Sequence, residues 1–244
     1  MRKKGWQKYS LIFKKLLNLE YSPVAIRAFK GTLPQAGDKK LRICRAILEA
    51  GAGKILKIDK NNNACFGAAW HLGFHQVKDP EVTGMVKKFV VEGEKLFCSY
   101  QALDKLLTQM NSPPDNSRSY FILAPLDKII FKPELVIFIL NPEAASRLLT
   151  LVTFIDGIMP KIKIGGPTCS MILIYPQVAQ EVNLSFYDST ARKICNIEKD
   201  KLLISIPFSK IPAIIKSINK CSAGKAKIEY PKEFREFLKQ RLTS

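Results

Sequence analysis

The residue types that can do chemistry concentrate in one stretch, Asn62-Asn63-Ala64-Cys65-Phe66-Gly67-Ala68-Ala69-Trp70-His71-Leu72-Gly73-Phe74-His75. It sets a cysteine after a polar turn and holds the only two histidines of the chain. The small residues after Cys65 read as the opening of a helix, which places the thiol beside free backbone N–H groups and the positive helix end, where thiolate is favoured over thiol. A thiolate is what a soft metal, an iron–sulfur cluster or a covalent intermediate requires. His71 and His75 are spaced to share one helix face and clamp a divalent metal. Gly73 between them weakens that helix, no acidic motif flanks the pair, and the plainer alternative is one surface histidine and one in a helix-end hydrogen bond.

The elements that must position these groups follow a repeated order. Trp6, Tyr9, Phe13, Leu16 and Leu17 recur at helical spacing over residues 6–20, with lysines on the other faces. Ser22-Pro23 breaks this helix, Val24 to Phe29 reads as a strand, and a loop over 30–38 leads to a helix from about Lys39 to Ala50 that stops at Gly51. Lys54 to Ile58 is a short strand before the turn that leads to Cys65. Residues 84–91 and 95–100 read as extended, and Gln101 to Met110 as a helix. Residues 111–118, with Asn111-Ser112-Pro113-Pro114-Asp115-Asn116-Ser117, form the best linker in the chain. Beyond it come a strand from Glu134 to Leu140, a helix from Pro142 to Asp156, a strand from Lys161 to Ile164 and the turn Gly165-Gly166-Pro167-Thr168 before Cys169. A strand over Lys201 to Ile206 and a helix over Ser209 to Ile218 follow. The last segment, Lys232 to Leu242, is an amphipathic helix expected to cover an open face of the second half.

The order predicts an α+β protein with an internal duplication. Two similar α/β halves, 1–110 and 119–244, would pack with approximate two-fold pseudo-symmetry and mixed sheets, with Cys65 and Cys169 as symmetry mates. Cys44, Cys65 and Cys169 with His71 are then the candidate metal ligands at the junction, and Cys195 is a fourth candidate. The candidate cofactor contacts are Cys65, Gly67, Cys169 and Arg192. Each cysteine has a plainer reading as a buried small hydrophobe, and Cys44 has a packed helix face to explain it.

The apolar share of 47% in 244 residues supports a substantial core. No apolar run approaches the ~20 residues needed to span a bilayer. Lysines at 8, 14 and 15 interrupt any signal-like apolar region, which points to the cytoplasm. Six scattered cysteines without a CxxC pair point to reduced thiols or ligands rather than a disulfide framework. The net charge of +18 invites a nucleic-acid partner, yet the middle of the chain mixes both signs and no RNA-binding aromatic motif or zinc-finger spacing occurs, so a lysine-rich solvated surface is the simpler account.

Cys44-Arg45-Ala46, Cys65-Phe66-Gly67-Ala68-Ala69 with Gly73, Leu123-Ala124-Pro125-Leu126, Asn141-Pro142 and the late Cys169 together resemble the archaeal and bacterial domain of unknown function one-six-nine. The resemblance runs from about Leu16 to Ile218. It implies homology with a cytoplasmic prokaryotic protein and brings no activity or catalytic residue.

Three function classes follow. The first is a cysteine-centred redox or cofactor-handling protein holding an iron–sulfur cluster or another transition metal between the halves, with a redox partner. The second is a non-metal module for an anionic small molecule, with Arg27, Arg192 and the glycine-rich turns as contacts. The third is nucleic-acid binding through the basic ends, marked by steep salt dependence. A homo-oligomer is open in each. The absence of a P-loop, a GxGxxG after a strand and a GxSxG elbow argues against an ordinary nucleotide enzyme or hydrolase, and the sequence names no reaction.

Overall fold

The computed structural model describes residues 5–31, 39–74, 80–111 and 118–242. In chain order the elements are α1 (Trp6–Leu16), β1 (Val24–Phe29), α2 (Ile43–Gly51), β2 (Leu56–Asp59), α3 (Phe66–His71), α4 (Pro80–Lys88), α5 (Tyr100–Thr108), β3 (Tyr120–Pro125), β4 (Leu135–Leu140), α6 (Pro142–Thr153), α7 (Tyr175–Ala179), β5 (Asn183–Ser185), α8 (Ser189–Cys195), β6 (Leu202–Pro207), α9 (Ile211–Ser217) and α10 (Lys232–Leu242). π-helical turns at Phe89–Gly93 and Ser170–Ile174 extend α4 and lead into α7.

The strands form one six-stranded sheet in the order β2-β3-β1-β4-β6-β5. Every strand pairing is antiparallel, where mixed sheets are expected from the sequence. The cause is an inserted strand. β1 and β2 are joined through α2, as parallel neighbours would be, but β3 lies between them and opposes both. β6 separates β4 from β5 in the same way. Outward from the central β1–β4 pair, each half therefore contributes its first, third and second strand. A division at 111–118 falls before β3, which completes the first of these groups, and residues 112–117 lie outside the described residues.

Alternation along the strands builds two cores. Val24, Ile26, Phe121, Leu123, Ile137, Ile139 and Leu203 face one side, under α2, α3, Ser170–Ile174 and α8. Ala25, Ala124, Val136, Phe138, Leu140, Ile204 and Ile206 face the other, under α1, α6 and α9. On that second side α1 buries Ser10, Phe13 and Leu16 and sets Trp6 edge-on against Phe208 at 5.6 Å, as its periodicity predicts. α6 starts at Asn141, whose side chain accepts from the Ala144 amide at 2.9 Å ahead of Pro142.

Several segments differ from their sequence patterns. Residues 84–91, rich in β-branched side chains, are helical, because Val82, Met85, Val86 and Phe89 also fit the period of a helix. They pair with α5 as an excursion between β2 and β3. Residues 161–164 form no ladder; the buried Asn183 instead brackets Lys163, accepting from its amide and donating to its carbonyl. Gly51 matters by close approach rather than handedness. A Cβ there would lie 2.7 Å from Ile139 Cδ1, while the left-handed residue is Gly53, with φ +112°. α10 is exposed along its length instead of covering the second half.

Candidate functional site

Four of the six cysteines, drawn from segments far apart in sequence, come to one side of the sheet. Cys44 lies in α2, Cys65 precedes α3, Cys169 precedes the Ser170–Ile174 turn and Cys195 ends α8. Cys44, Cys169 and Cys195 are buried within that core, and Cys65 packs on it while remaining partly open. Cys98 is exposed on the α4–α5 excursion, and Cys221 is buried in the opposite core.

The four sulfurs have different surroundings. Burial pushes the Cys44 thiol well up, and the charges of Cys169, Asp188, Cys195 and Cys65 act on it in the same direction. Burial likewise pushes the Cys169 thiol well up, reinforced by Cys65 and Asp188. The Cys195 thiol is raised by burial, against the opposing pull of Arg42. Burial holds these three groups as thiols. Cys65 receives hydrogen bonds at sulfur: the Ala68 amide donates at 3.4 Å and the Arg42 guanidinium at 3.9 Å. Asn63 fixes the approach by accepting from the Cys65 amide and donating to its carbonyl. A Cβ at Gly67 would meet nothing within 4 Å among the described residues.

Asp188 holds the other side of the cluster. Its carboxylate accepts from the Thr168 amide at 3.0 Å, the Thr168 hydroxyl at 2.8 Å and the Ala191 amide at 2.7 Å, and its own amide donates to Thr168 Oγ1 at 2.8 Å. It therefore caps α8 and locks the residue before Cys169 in place. The segment 188–192 is the start of a helix, where sequence also allows a hairpin turn. His71 ends α3 and is driven down to about 4 by burial, with the Asp188 charge opposing, so its imidazole is neutral near pH 7. His75 lies outside the described residues.

Arg192 is engaged within the protein. Its guanidinium donates to the carbonyls of Phe186, Glu198 and Lys201, strapping α8 to the start of β6. Arg27 donates to the Lys132 carbonyl at a strand end. Two cations lie next to the cysteines: Arg42, which precedes α2 and donates to the Cys65 sulfur, and Arg45, which donates to the Cys195 carbonyl at 3.4 Å. Tyr187 is a residue that the sequence patterns miss. It is 6% exposed with φ +60°, and its hydroxyl, like those of Ser170 and Ser205, has no hydrogen-bond partner among the described residues.

A metal centre or cluster needs three or four donors that converge. Among the described residues no three His, Cys, Asp or Glu side chains form such a group, so Cys44, Cys65, Cys169 and His71 share a face without making a coordination set. No helix of the described residues is long and apolar enough to cross a membrane.

The DUF169 family model, whose description is "Uncharacterised ArCR", matches residues 12–217, and the chain belongs to that family. No curated protein and no solved structure matches the chain.

Proposed function

We propose that this DUF169 protein is a cysteine-centred redox or cofactor-handling protein whose working group is the Cys65 thiol. The observation that carries the proposal is the contrast among the cysteines of this core: three are buried thiols, and one is a partly open sulfur that an amide and a guanidinium both address. Sulfur presented in this way donates its electron pair to a soft centre or an electrophile, and the buried thiols behind it exclude water from one side. The strand order, first-third-second in each half, supports descent from a duplicated unit.

The donor geometry gives the thiol more weight than a metal centre. A second reading, a non-metal site for a small anionic cofactor, is favoured by Arg42 beside Cys65. The two readings share Cys65 and differ in what it meets.

Alkylation with iodoacetamide, followed by peptide mapping, tests the proposal. Cys65 should react faster than the exposed Cys98, which serves as an ordinary thiol in the same molecule. Arg42→Gln should slow Cys65 alone, and the buried cysteines should react only on unfolding. A Cys65 that reacts no faster than Cys98 would overturn the proposal. Iron, zinc and sulfide analysis of anaerobically purified protein then separates the ligands: stoichiometric metal, lost in Cys65→Ala, would restore the cluster reading.

A further inference from the structure

Helix α10 packs on neither core. Every residue from Lys232 to Arg241 is exposed except Leu238, which is half-buried. It lies beyond the family match, which ends at residue 217. A helix of 11 residues is marginal in water without a surface to pack on. Its composition shows what kind of surface would suit it. Tyr230, Phe234 and Phe237 form one stripe, with Tyr230 and Phe234 stacked at 6.0 Å and Phe234 and Phe237 at 6.4 Å. Phe234 and Phe237 are 45% and 49% exposed. Lys232, Arg235 and Lys239 recur on the opposite side, and Arg241 lies over the Phe237 ring. From Lys216 to Arg241 the chain has eight Lys and Arg against three Glu.

We propose that α10 is an interfacial anchor that lays its aromatic stripe into an anionic lipid surface. Apolar residues on one face and lysine and arginine on the other are the pattern of a helix lying in the plane of a membrane interface. The long basic side chains reach back toward lipid phosphates while the rings sit at the acyl boundary. A nucleic acid would call for cations along the contact face, but here that face carries three rings and one cation, Arg241, while Lys232, Arg235 and Lys239 lie behind it. A second copy fits poorly as well. A helix about 16 Å long offers a few hundred Å², short of the roughly 1,000 Å² of a stable interface. The excess of basic residues over the whole chain, +18, adds attraction to an anionic surface.

The test is co-sedimentation of the full chain with phosphatidylcholine vesicles, with and without phosphatidylserine. The chain should pellet with the anionic vesicles and stay in solution with the neutral ones. Phe234→Ser with Phe237→Ser should lower binding at least about tenfold and leave the thermal midpoint unchanged, because neither ring touches a core. Lys232→Glu with Lys239→Glu should lower it as well, which separates lost attraction from any loss of fold. No pelleting with anionic vesicles would overturn the proposal, as would equal pelleting of the serine variant. So would a wild-type dimer that the serine variant converts to a monomer, or oligonucleotide binding that this variant abolishes.

Discussion

Cys65 caps α3 through its sulfur, 3.4 Å from the Ala68 amide, and Asp188 caps α8 through a carboxylate oxygen, 2.7 Å from the Ala191 amide. The two helices hold the same place in their halves, each following the second strand and preceding the third, on the same side of the sheet. Topology thus sets Cys65 against Asp188, where the sequence pairs Cys65 with Cys169. Cys169 opens the helical segment that leads into β5, the place that Arg42 has before α2 and β2. α6 has no such counterpart: it follows β4 on the opposite side of the sheet, whereas a two-fold axis relating β1 to β4 would stand normal to the sheet and keep equivalent helices on one side. The lesson of the two caps is chemical. The carboxylate is fully engaged and holds the cluster together; the sulfur has two long contacts and an open side.

Removing the engaged cap should have the largest effect. Asp188→Ala strips partners from the Thr168 and Ala191 amides and should lower stability by about 2–4 kcal/mol in urea unfolding. A loss below about 0.5 kcal/mol would break the contrast between the caps. Next comes pH, through His71 at the far end of α3. Its folded-state value of about 4 lies below the ordinary 6.5. The unfolded chain therefore takes up a proton that the folded chain refuses, so stability should fall as pH drops through 6.5 toward 4 and the effect should level off below that. His71→Gln should flatten that part of the profile, measured by unfolding at stepped pH. Tyr187→Phe removes a buried hydroxyl without a described partner and should be neutral or stabilising by up to about 1 kcal/mol. A loss of more than that would reveal a partner for it. Cys65→Ser should move stability least, within about 0.5 kcal/mol, because a hydroxyl caps a helix as well as sulfur does. It should still abolish the fast alkylation, and this separation of stability from reactivity sharpens the comparison most.

The central strands were legible because their apolar runs are short, dense and bounded by prolines: β1 coincides with Val24 to Phe29, and β4 and β6 fall within a residue of their expected limits. β3 was not, since its neighbours on either side are what make Tyr120 to Pro125 a strand, and those contacts are distant in sequence. Ser170–Ile174 shows the opposite difficulty. An apolar run buried on all sides has no period to read, and it folds as a π-helical turn. For the site, the cysteine types were visible in the sequence, and their gathering on one face follows from α2, α3 and α8 lying on the same side. The roles of Arg42, Thr168 and Tyr187 were not, because each depends on a contact across the chain rather than on a local pattern. Arg192 illustrates the same limit, for its three carbonyl partners lie on segments that no local pattern joins to it.

The place of β3 between β1 and β2 governs the order in which the molecule can be assembled. On a ribosome, β1 and β2 emerge long before Tyr120, and each then presents a bare edge with its hydrogen-bonding groups unfilled. The α4–α5 excursion is synthesised during that wait, so the nascent first half has to be shielded from edge-to-edge association until more than half the chain has been made.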